Sequence, residues 1–476
     1  MRRRLALLAL AATFGIGGAF GSRDLEATPL YAARSSRTCD NCHLTPNEWV
    51  DPVLAERKCT LSCQACHVDP AGGGMRNASG VFFGRATVPA IATSPRPTQD
   101  WDRNLPFVGR RDRATTYSSD LPLGPNRFED VESFRDSAND RFGYGSPLGA
   151  SSKYAFWPGR YGAVNADPAF AIGVDARIAF LSQGALVFPM QFDLPMRLHP
   201  VEHLTVFANT GARGRRSGYS DAFDDDHTPY FREAFVLLHE APYQAYVKAG
   251  RFVPRFGLRL DDHTMRTRRE FELDGALPES RVTGVEIGAA PNYPVLSFSW
   301  FRMASRTRGP DSWDVFDVDD GKGAAAHVGW RALGWSAGGS GLWRSRPLAE
   351  GGDTTTYALW GSWNPWFSHR DLPVTVQGEL DWGRFQRASG RESTKLATYV
   401  EADWLAANGV NLLVAHDFAD PDREVADDES HRVQAGMQIT PYPGFTLDGR
   451  IRALIPLGAA SEGSSADLFV QLHVWR

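Results

Sequence analysis

The sequence predicts a mainly β chain. About sixteen antiparallel strands close into an outer-membrane barrel, and a small irregular or helical segment with paired cysteine motifs precedes them. Three observations carry this. From Phe170 onward apolar residues recur with a period of two, the pattern of strands with one apolar face. The connections between these runs alternate between tight turns and long polar stretches, as barrel turns and loops do. Eleven of the fourteen tryptophans fall between Trp300 and Trp475, often near the ends of runs, where aromatic girdles sit. Beyond the first twenty residues no apolar run reaches the length of a transmembrane helix. Barrel strands escape that test because their apolar residues are hidden in alternation.

Composition narrows the function classes. The net charge is -5, from 51 basic and 56 acidic residues, with no basic tail or stripe, so nucleic acid is not an expected partner. Aromatic residues at 12% with average charge are not a disordered composition.

Residues 1–22 read as a signal peptide. Met1 to Arg4 is a positive n-region and Leu5 to Phe20 an apolar, small-residue h-region. Cleavage fits Gly21/Ser22 or the Ala-rich stretch ending at Ala33. No Cys follows the h-region directly, which argues against a lipid anchor. Export is expected.

Residues 23–87 carry four of the five cysteines in one repeated pattern. Cys39, Cys42 and His43 form Cys-x-x-Cys-His, and Cys63, Cys66 and His67 repeat it 24 residues later. This spacing is the attachment signature of c-type haem. Two thiols add to the two vinyl groups of one porphyrin, and the adjacent His becomes the proximal iron ligand. Zinc would need four Cys or His ligands, and two disulfides are the other alternative in an exported chain. Two copies behind a signal peptide favour two c-type haems over both. The sixth ligands are less defined, because only His43 and His67 of the twelve histidines precede residue 199. Met75 is one candidate. Cys59, Lys58, Tyr31, a barrel histidine or an open iron complete the set. The run Gly72-Gly73-Gly74 lets backbone approach a flat macrocycle closely. It lacks the following Lys-Ser/Thr of a phosphate loop.

Residues 88–168 form a linker or plug-like segment. Val88 to Pro97 reads as extended linker. The remainder, with Phe128, Phe134, Phe142, Tyr144, Tyr154 and Trp157, is too aromatic for a free tether.

Residues 169–476 form the barrel. Val374, Val376, Leu380 and Trp382 alternate with Thr375, Gln377, Glu379 and Asp381, and similar alternation recurs to Val474. Tight connections are expected near Pro242, Asn292, Gly334, His369, Gly409 and Pro443. Long polar ones are expected near 213–229, 258–280, 305–323, 346–353, 387–393, 419–430 and 457–465. This arrangement puts both barrel ends on the short-turn, periplasmic side, with the haem segment at that mouth or in the lumen. The inward faces carry Asp, Glu, Arg and Lys, so an empty lumen would be wet. Parity turns His327, Arg331 and His473 inward. The acidic groups Asp224–Asp226, Asp317–Asp320 and Asp427–Glu429, together with Asp261-Asp262-His263, are expected in external loops. There they serve as solvated surface or as a weak rim for hard cations.

A signal peptide, a short c-type cytochrome and a porin-like barrel in one chain resemble the fused outer-membrane cytochrome–porins of iron-oxidising bacteria. The resemblance is architectural over the whole chain, and its specific motifs cover Cys39–His43 and Cys63–Gly84. It implies haem attachment at Cys39, Cys42, Cys63 and Cys66, and iron ligation by His43 and His67. It further implies electron exchange between an extracellular donor or acceptor such as ferrous iron and a periplasmic electron-carrier cytochrome, across the lipid bilayer. The chain departs from that family in its second haem motif, its aromatic segment and the Arg476 that follows Trp475. Two other readings stand beside the conduit: a transport channel with a haem-containing plug, and a di-haem peroxidase-like enzyme.

Overall fold

The computed structural model describes residues 63, 67–72, 74–76, 90 and 91. It also describes 169–475 apart from loop stretches, of which 213–229 and 305–317 are the longest. The expected signal peptide, Cys39, Cys42, His43, Cys59 and Cys66 lie outside the described residues.

The strands are β1 (Phe170–Ile172), β2 (Asp175–Leu181), β3 (Leu186–Val201), β4 (Leu204–Ala212), β5 (Tyr230–Ala241), β6 (Ala245–Phe252), β7 (Val282–Ala289), β8 (Pro294–Ala304) and β9 (Val318–Arg331). They continue as β10 (Trp335–Ser345), β11 (Thr354–Trp363), β12 (Val374–Gln386), β13 (Glu392–Ala407), β14 (Val410–Asp420), β15 (Ser430–Tyr442), β16 (Phe445–Pro456) and β17 (Ser465–Trp475). A short helix α1 (Arg266–Glu270) lies between β6 and β7. No helix among the described residues is long and apolar enough to cross a membrane.

From β2 to β17 each strand pairs antiparallel with its sequence neighbour, and β17 pairs back onto β2 through Phe469↔Leu181, His473↔Arg177 and Trp475↔Asp175. β1 and β2 are two pieces of one broken strand, since both pair with β3, at Phe170↔Leu198 and Asp175↔Asp193. The seventeen segments therefore make a closed ring of sixteen strands, as the alternation predicts. Closure matters because a sheet edge in hydrocarbon would leave a row of backbone donors and acceptors unpaired.

The polarity of the ring is inverted relative to a water-soluble sandwich. Val206, Val236, Val285, Ile287, Phe298, Val328, Leu359, Val414 and Ile451 are exposed, while Asp193, Lys248, Glu286, Asp381, Glu401 and Asp417 are buried. A sandwich would turn the first set inward. Apolar outside with charge inside is the arrangement that lipid demands.

Aromatic residues edge both rims. Tyr243, Tyr293, Trp330, Trp335, Trp363, Trp404 and Tyr442 are exposed at the short-turn rim. Towards the long loops, Trp300 lies 6.3 Å from Trp343, and Tyr357 5.5 Å from Trp382. Trp335 and Trp343 are eight residues apart on β10. That is about 26 Å of strand at ~3.3 Å per residue, or about 20 Å of height at the usual tilt.

The turns at 202–203, 242–244, 408–409 and 443–444 are tight. Gly409 (φ +77) and Gly444 (φ +91) supply the left-handed backbone such turns need. Three connections differ from expectation. The loop expected at 305–323 ends earlier, because β9 begins at Val318 and takes Val318, Asp319 and Asp320 of the acidic group into a strand. The 364–373 link is ten residues, longer than a tight turn at His369. The stretch expected as a polar external loop at 258–280 instead sends Leu258, Met265, Phe271 and Leu273 into buried positions.

Register leaves no slack at Gly284 in β7. A Cβ there would meet the Trp300 carbonyl oxygen at 2.2 Å and the Phe301 Cα at 2.6 Å. We expect Gly284→Val to destabilise the barrel by about 1–3 kcal/mol, the usual cost of overpacking. The check is a lower temperature for conversion of the folded to the unfolded band on semi-native gels.

Candidate functional site

The described N-terminal residues sit inside the ring, at its short-turn end. The His67 N–H donates to the Cys63 carbonyl (2.8 Å), which closes one helical turn between the two motif residues. The Val68 N–H then donates to the Met75 carbonyl (3.0 Å), and His67 bridges Arg76 in antiparallel fashion. The hairpin between them turns on Asp69, whose carboxylate accepts from the Ala71 N–H (2.7 Å) while its carbonyl accepts from Gly72 (2.9 Å). Gly72 (φ +85) lies against Cys63, and a Cβ on it would come 3.1 Å from the sulfur. At this position the glycine run provides backbone room beside the cysteine.

Strands far apart in sequence hold this hairpin. Lys248 on β6, fully buried, lies 3.0 Å from Glu286 and 3.6 Å from Asp69. Tyr246 and Ser299 also donate to Glu286, at 3.0 and 2.9 Å. Val68 and Met75 join an apolar cluster with Phe207, Phe235, Phe252 and Phe256. Arg331 at the end of β9 reaches the Cys63 sulfur at 3.7 Å. Arg76 lies over Trp475 of β17 at 5.9 Å. Further along, the Ile91 N–H donates to the Thr440 carbonyl at 2.9 Å, on the rim beside the 408–409 turn.

The described part of the chain between β6 and β7 folds into the opposite half of the lumen. Helix α1 crosses to the far wall. Arg268 pairs with Glu379 of β12 (2.9 Å) and also donates to the Phe256 (3.2 Å) and Leu258 carbonyls. The Leu258 N–H donates to Glu379 at 3.2 Å, and the Arg266 N–H to Asp417 of β14 at 3.1 Å. Arg344 of β10 and Lys395 of β13 grip the Phe271 and Glu270 carbonyls at 2.9 and 3.0 Å. The described part of the lumen thus holds apolar and ionic contacts side by side.

Of the expected site residues, the described ones are Cys63, His67 and Met75, and all three lie in the lumen. Cys63 is not in a disulfide. Met75 is buried in the apolar cluster. His327 and His473 point inward as parity predicts. His327 stacks on Trp360 (5.3 Å between centroids) and shares a hydrogen bond with Ser340 (2.9 Å). His473 pairs with Asp175 at 3.0 Å. Sequence reasoning missed Lys248 and Asp69. Their partners lie on other strands or outside the barrel sequence, and no local pattern announces them.

The chemistry of a c-type haem fits what is described of the second motif. Cys63 and His67 share one turn, as attachment and ligation by adjacent residues require, and Gly72 keeps side-chain bulk away from the sulfur. Among the described residues, no group of three or more His, Cys, Asp or Glu has the geometry to hold a metal ion by itself. On the long-loop side, Asp427–Glu429 lies in the 421–429 loop. Burial and the neighbouring Asp422 and Glu429 push the Asp428 carboxyl up from its usual range, so this rim is a crowded acidic one. Asp224–Asp226 and Asp261-Asp262-His263 lie outside the described residues.

No protein-family model matches this chain, and no curated protein matches it in sequence. Solved outer-membrane barrels resemble it in fold. The anion-selective porin of Comamonas acidovorans is 12% identical, with 64% of this chain and 98% of that one covered and a TM-score of 0.44. OprB of Pseudomonas putida is 8% identical, over 64% and 94%, with a TM-score of 0.46. The outer-membrane channel DcaP of Acinetobacter baumannii is 10% identical, over 64% and 97%, with a TM-score of 0.42. The sixteen-stranded assignment rests on the pairing ring itself.

The Arg268–Glu379 pair is the staple of the inward segment. Arg268→Ala leaves Glu379 buried without its countercharge, a loss of about 3–5 kcal/mol where one partner of a buried pair is removed. We expect higher single-channel conductance in planar bilayers from a barrel that still folds. Unchanged conductance would mean that closure does not depend on this staple.

Proposed function

We propose that this protein is an outer-membrane electron conduit. In this reading two c-type haems, attached at Cys39/Cys42 and Cys63/Cys66 with His43 and His67 as proximal ligands, are carried on the segment before a porin-like barrel. Electrons pass between an extracellular donor or acceptor, ferrous iron being the candidate donor, and a periplasmic electron-carrier cytochrome. The haems would supply one-electron redox chemistry inside a hydrocarbon barrier of about 30 Å.

The observation that carries the reading is the position of the Cys63–His67 turn. It lies in the lumen, where Lys248 and the apolar cluster hold the described hairpin, so a redox centre carried on it would be shielded and held in place. Burial and charge around such a centre set its potential. Lys248, Asp69 and Glu286 hold the hairpin, the apolar cluster excludes water from one side of it, and Met75 remains the candidate sixth ligand within that cluster. Cys59 is the second candidate.

The barrel architecture by itself favours a second reading, a transport channel whose haem segment is a plug. Short turns on one rim, long loops on the other and charged residues along the lumen are features of channels. The two readings differ in what crosses. In liposomes that enclose a periplasmic-type cytochrome, external ferrous iron should reduce the enclosed haem if the protein is a conduit, with no solute uptake. A channel would pass solute, with conductance set by the haem redox state, and leave the enclosed cytochrome oxidised.

The cofactor assignment has its own test. Haem-stained denaturing gels and pyridine haemochrome spectra should give two covalent haems per chain. Cys63→Ala with Cys66→Ala should reduce that to one. Stoichiometry unchanged by the double substitution would remove the second motif from the reading.

A further inference from the structure

The buried guanidinium of Arg331 is half used. Its Nη1 faces the Cys63 sulfur at 3.7 Å. Its Nε and Nη2 have no hydrogen-bond partner among the described residues, although only 6% of the residue is exposed. Nε–H and Nη2–H are the parallel pair on one edge of a guanidinium. They form the fork that takes both oxygens of a carboxylate.

The surroundings make the empty fork unusual. Arg255 is buried close enough to act on Arg331 as a like charge, and its own Nη1 is without a hydrogen-bond partner. Trp360 Nε1 is a third buried donor of the lumen wall without an acceptor. The acids that hold the hairpin are engaged elsewhere: Glu286 by Lys248, Tyr246 and Ser299, and Asp69 by Lys248 and the Ala71 N–H. Two buried cations side by side are costly unless acceptors meet their free N–H groups. The site therefore calls for a buried acceptor of negative charge, and it lies next to Cys63.

We propose that the Arg331 fork, with Arg255 behind it, anchors a carboxylate of the cofactor attached at Cys63, a haem propionate. This rests on the haem reading of the Cys63–His67 motif. Arg331 is then a positioning residue. It fixes the rotation of the macrocycle about the Cys63–His67 turn and neutralises the negative group nearest the iron. A cation held there favours the reduced, less positive iron, so its loss lowers the potential of that haem.

The test uses the full-length protein, matured with its haems, folded in detergent and titrated by spectroelectrochemistry. We expect Arg331→Gln to lower the midpoint of one haem, shifting its one-electron equilibrium about tenfold, or about 59 mV. The other haem should not move. Arg331→Lys keeps the charge and loses the fork, so it should restore most of the potential. If Arg331→Gln does not fold, Arg331→Lys and Arg255→Gln carry the comparison, each expected to lower the same haem by a smaller amount. Folded, haem-loaded variants with both midpoints unchanged overturn the anchor and leave the fork to a carboxylate of the chain itself. Absence of covalent haem at Cys63 and Cys66 in the unsubstituted protein overturns the haem reading instead.

Discussion

Charge that enters this barrel must be met by other charge within it. The ring's outer face is committed to lipid, so the polar residue at every second strand position is turned into a space shared by sixteen walls. Pairs form across that space and along its walls: Arg232 with Asp193, Arg432 with Asp417, and Lys248 with Glu286 and Asp69. Buried pairs of this kind contribute little net stability, because desolvation offsets most of the Coulomb gain. What they supply is position. A lysine with no exposure, held between two carboxylates and over the rings of Phe252 (4.6 Å) and Phe235 (5.5 Å), cannot be satisfied by another register of the hairpin.

That constraint explains why the interior is not an ordinary core. The apolar cluster contains Phe207, Phe235, Phe252, Phe271, Phe301 and Phe385 beside the ionic groups. An aromatic ring on the inner wall is stable only where something covers it. Here the cover is the chain itself, the hairpin around Asp69 on one side and the α1 segment on the other. A lumen filled this way has a lower dielectric than a wet pore, so each unpaired donor in it carries more weight than it would at a surface. The empty edge of Arg331 is informative for that reason.

The outer face was legible in the sequence, because lipid imposes the alternation at every step. Val374, Val376, Leu380 and Trp382 sit outside, and Thr375, Gln377, Glu379 and Asp381 inside. The strand number followed from the same signal. The inner face was less legible, since a packed lumen accepts phenylalanine and aspartate alike. In β4 the run Val206-Phe207 is apolar at both positions, and only the ring shows that Phe207 is the inward one. The 258–280 stretch reads as a polar external loop because its arginines and acids look solvated. Their partners, Glu379, Asp417 and Ser430, lie more than a hundred residues away. The haem motifs are visible because covalent attachment fixes a local spacing, whereas the residue facing Cys63 comes from β9, 268 positions later.

Both ends of the barrel chain lie at the short-turn rim, where Trp475 donates its N–H to the Gly444 carbonyl and the His199 N–H donates to Ala169. The described hairpin lies near that rim, against Arg331 and Trp475, and the α1 segment belongs to the opposite, long-loop side. They meet in a single apolar cluster that contains Val68 and Met75 from the first, and Phe256 and Phe271 from the second. Withdrawing either insert would uncover apolar side chains of that cluster, at about 25 cal/mol for each Å² exposed. The α1 segment and the seat of the Cys63–His67 turn thus draw on the same apolar cluster, while their ionic holds, Arg268–Glu379 and Lys248–Asp69, lie on different strands of the wall.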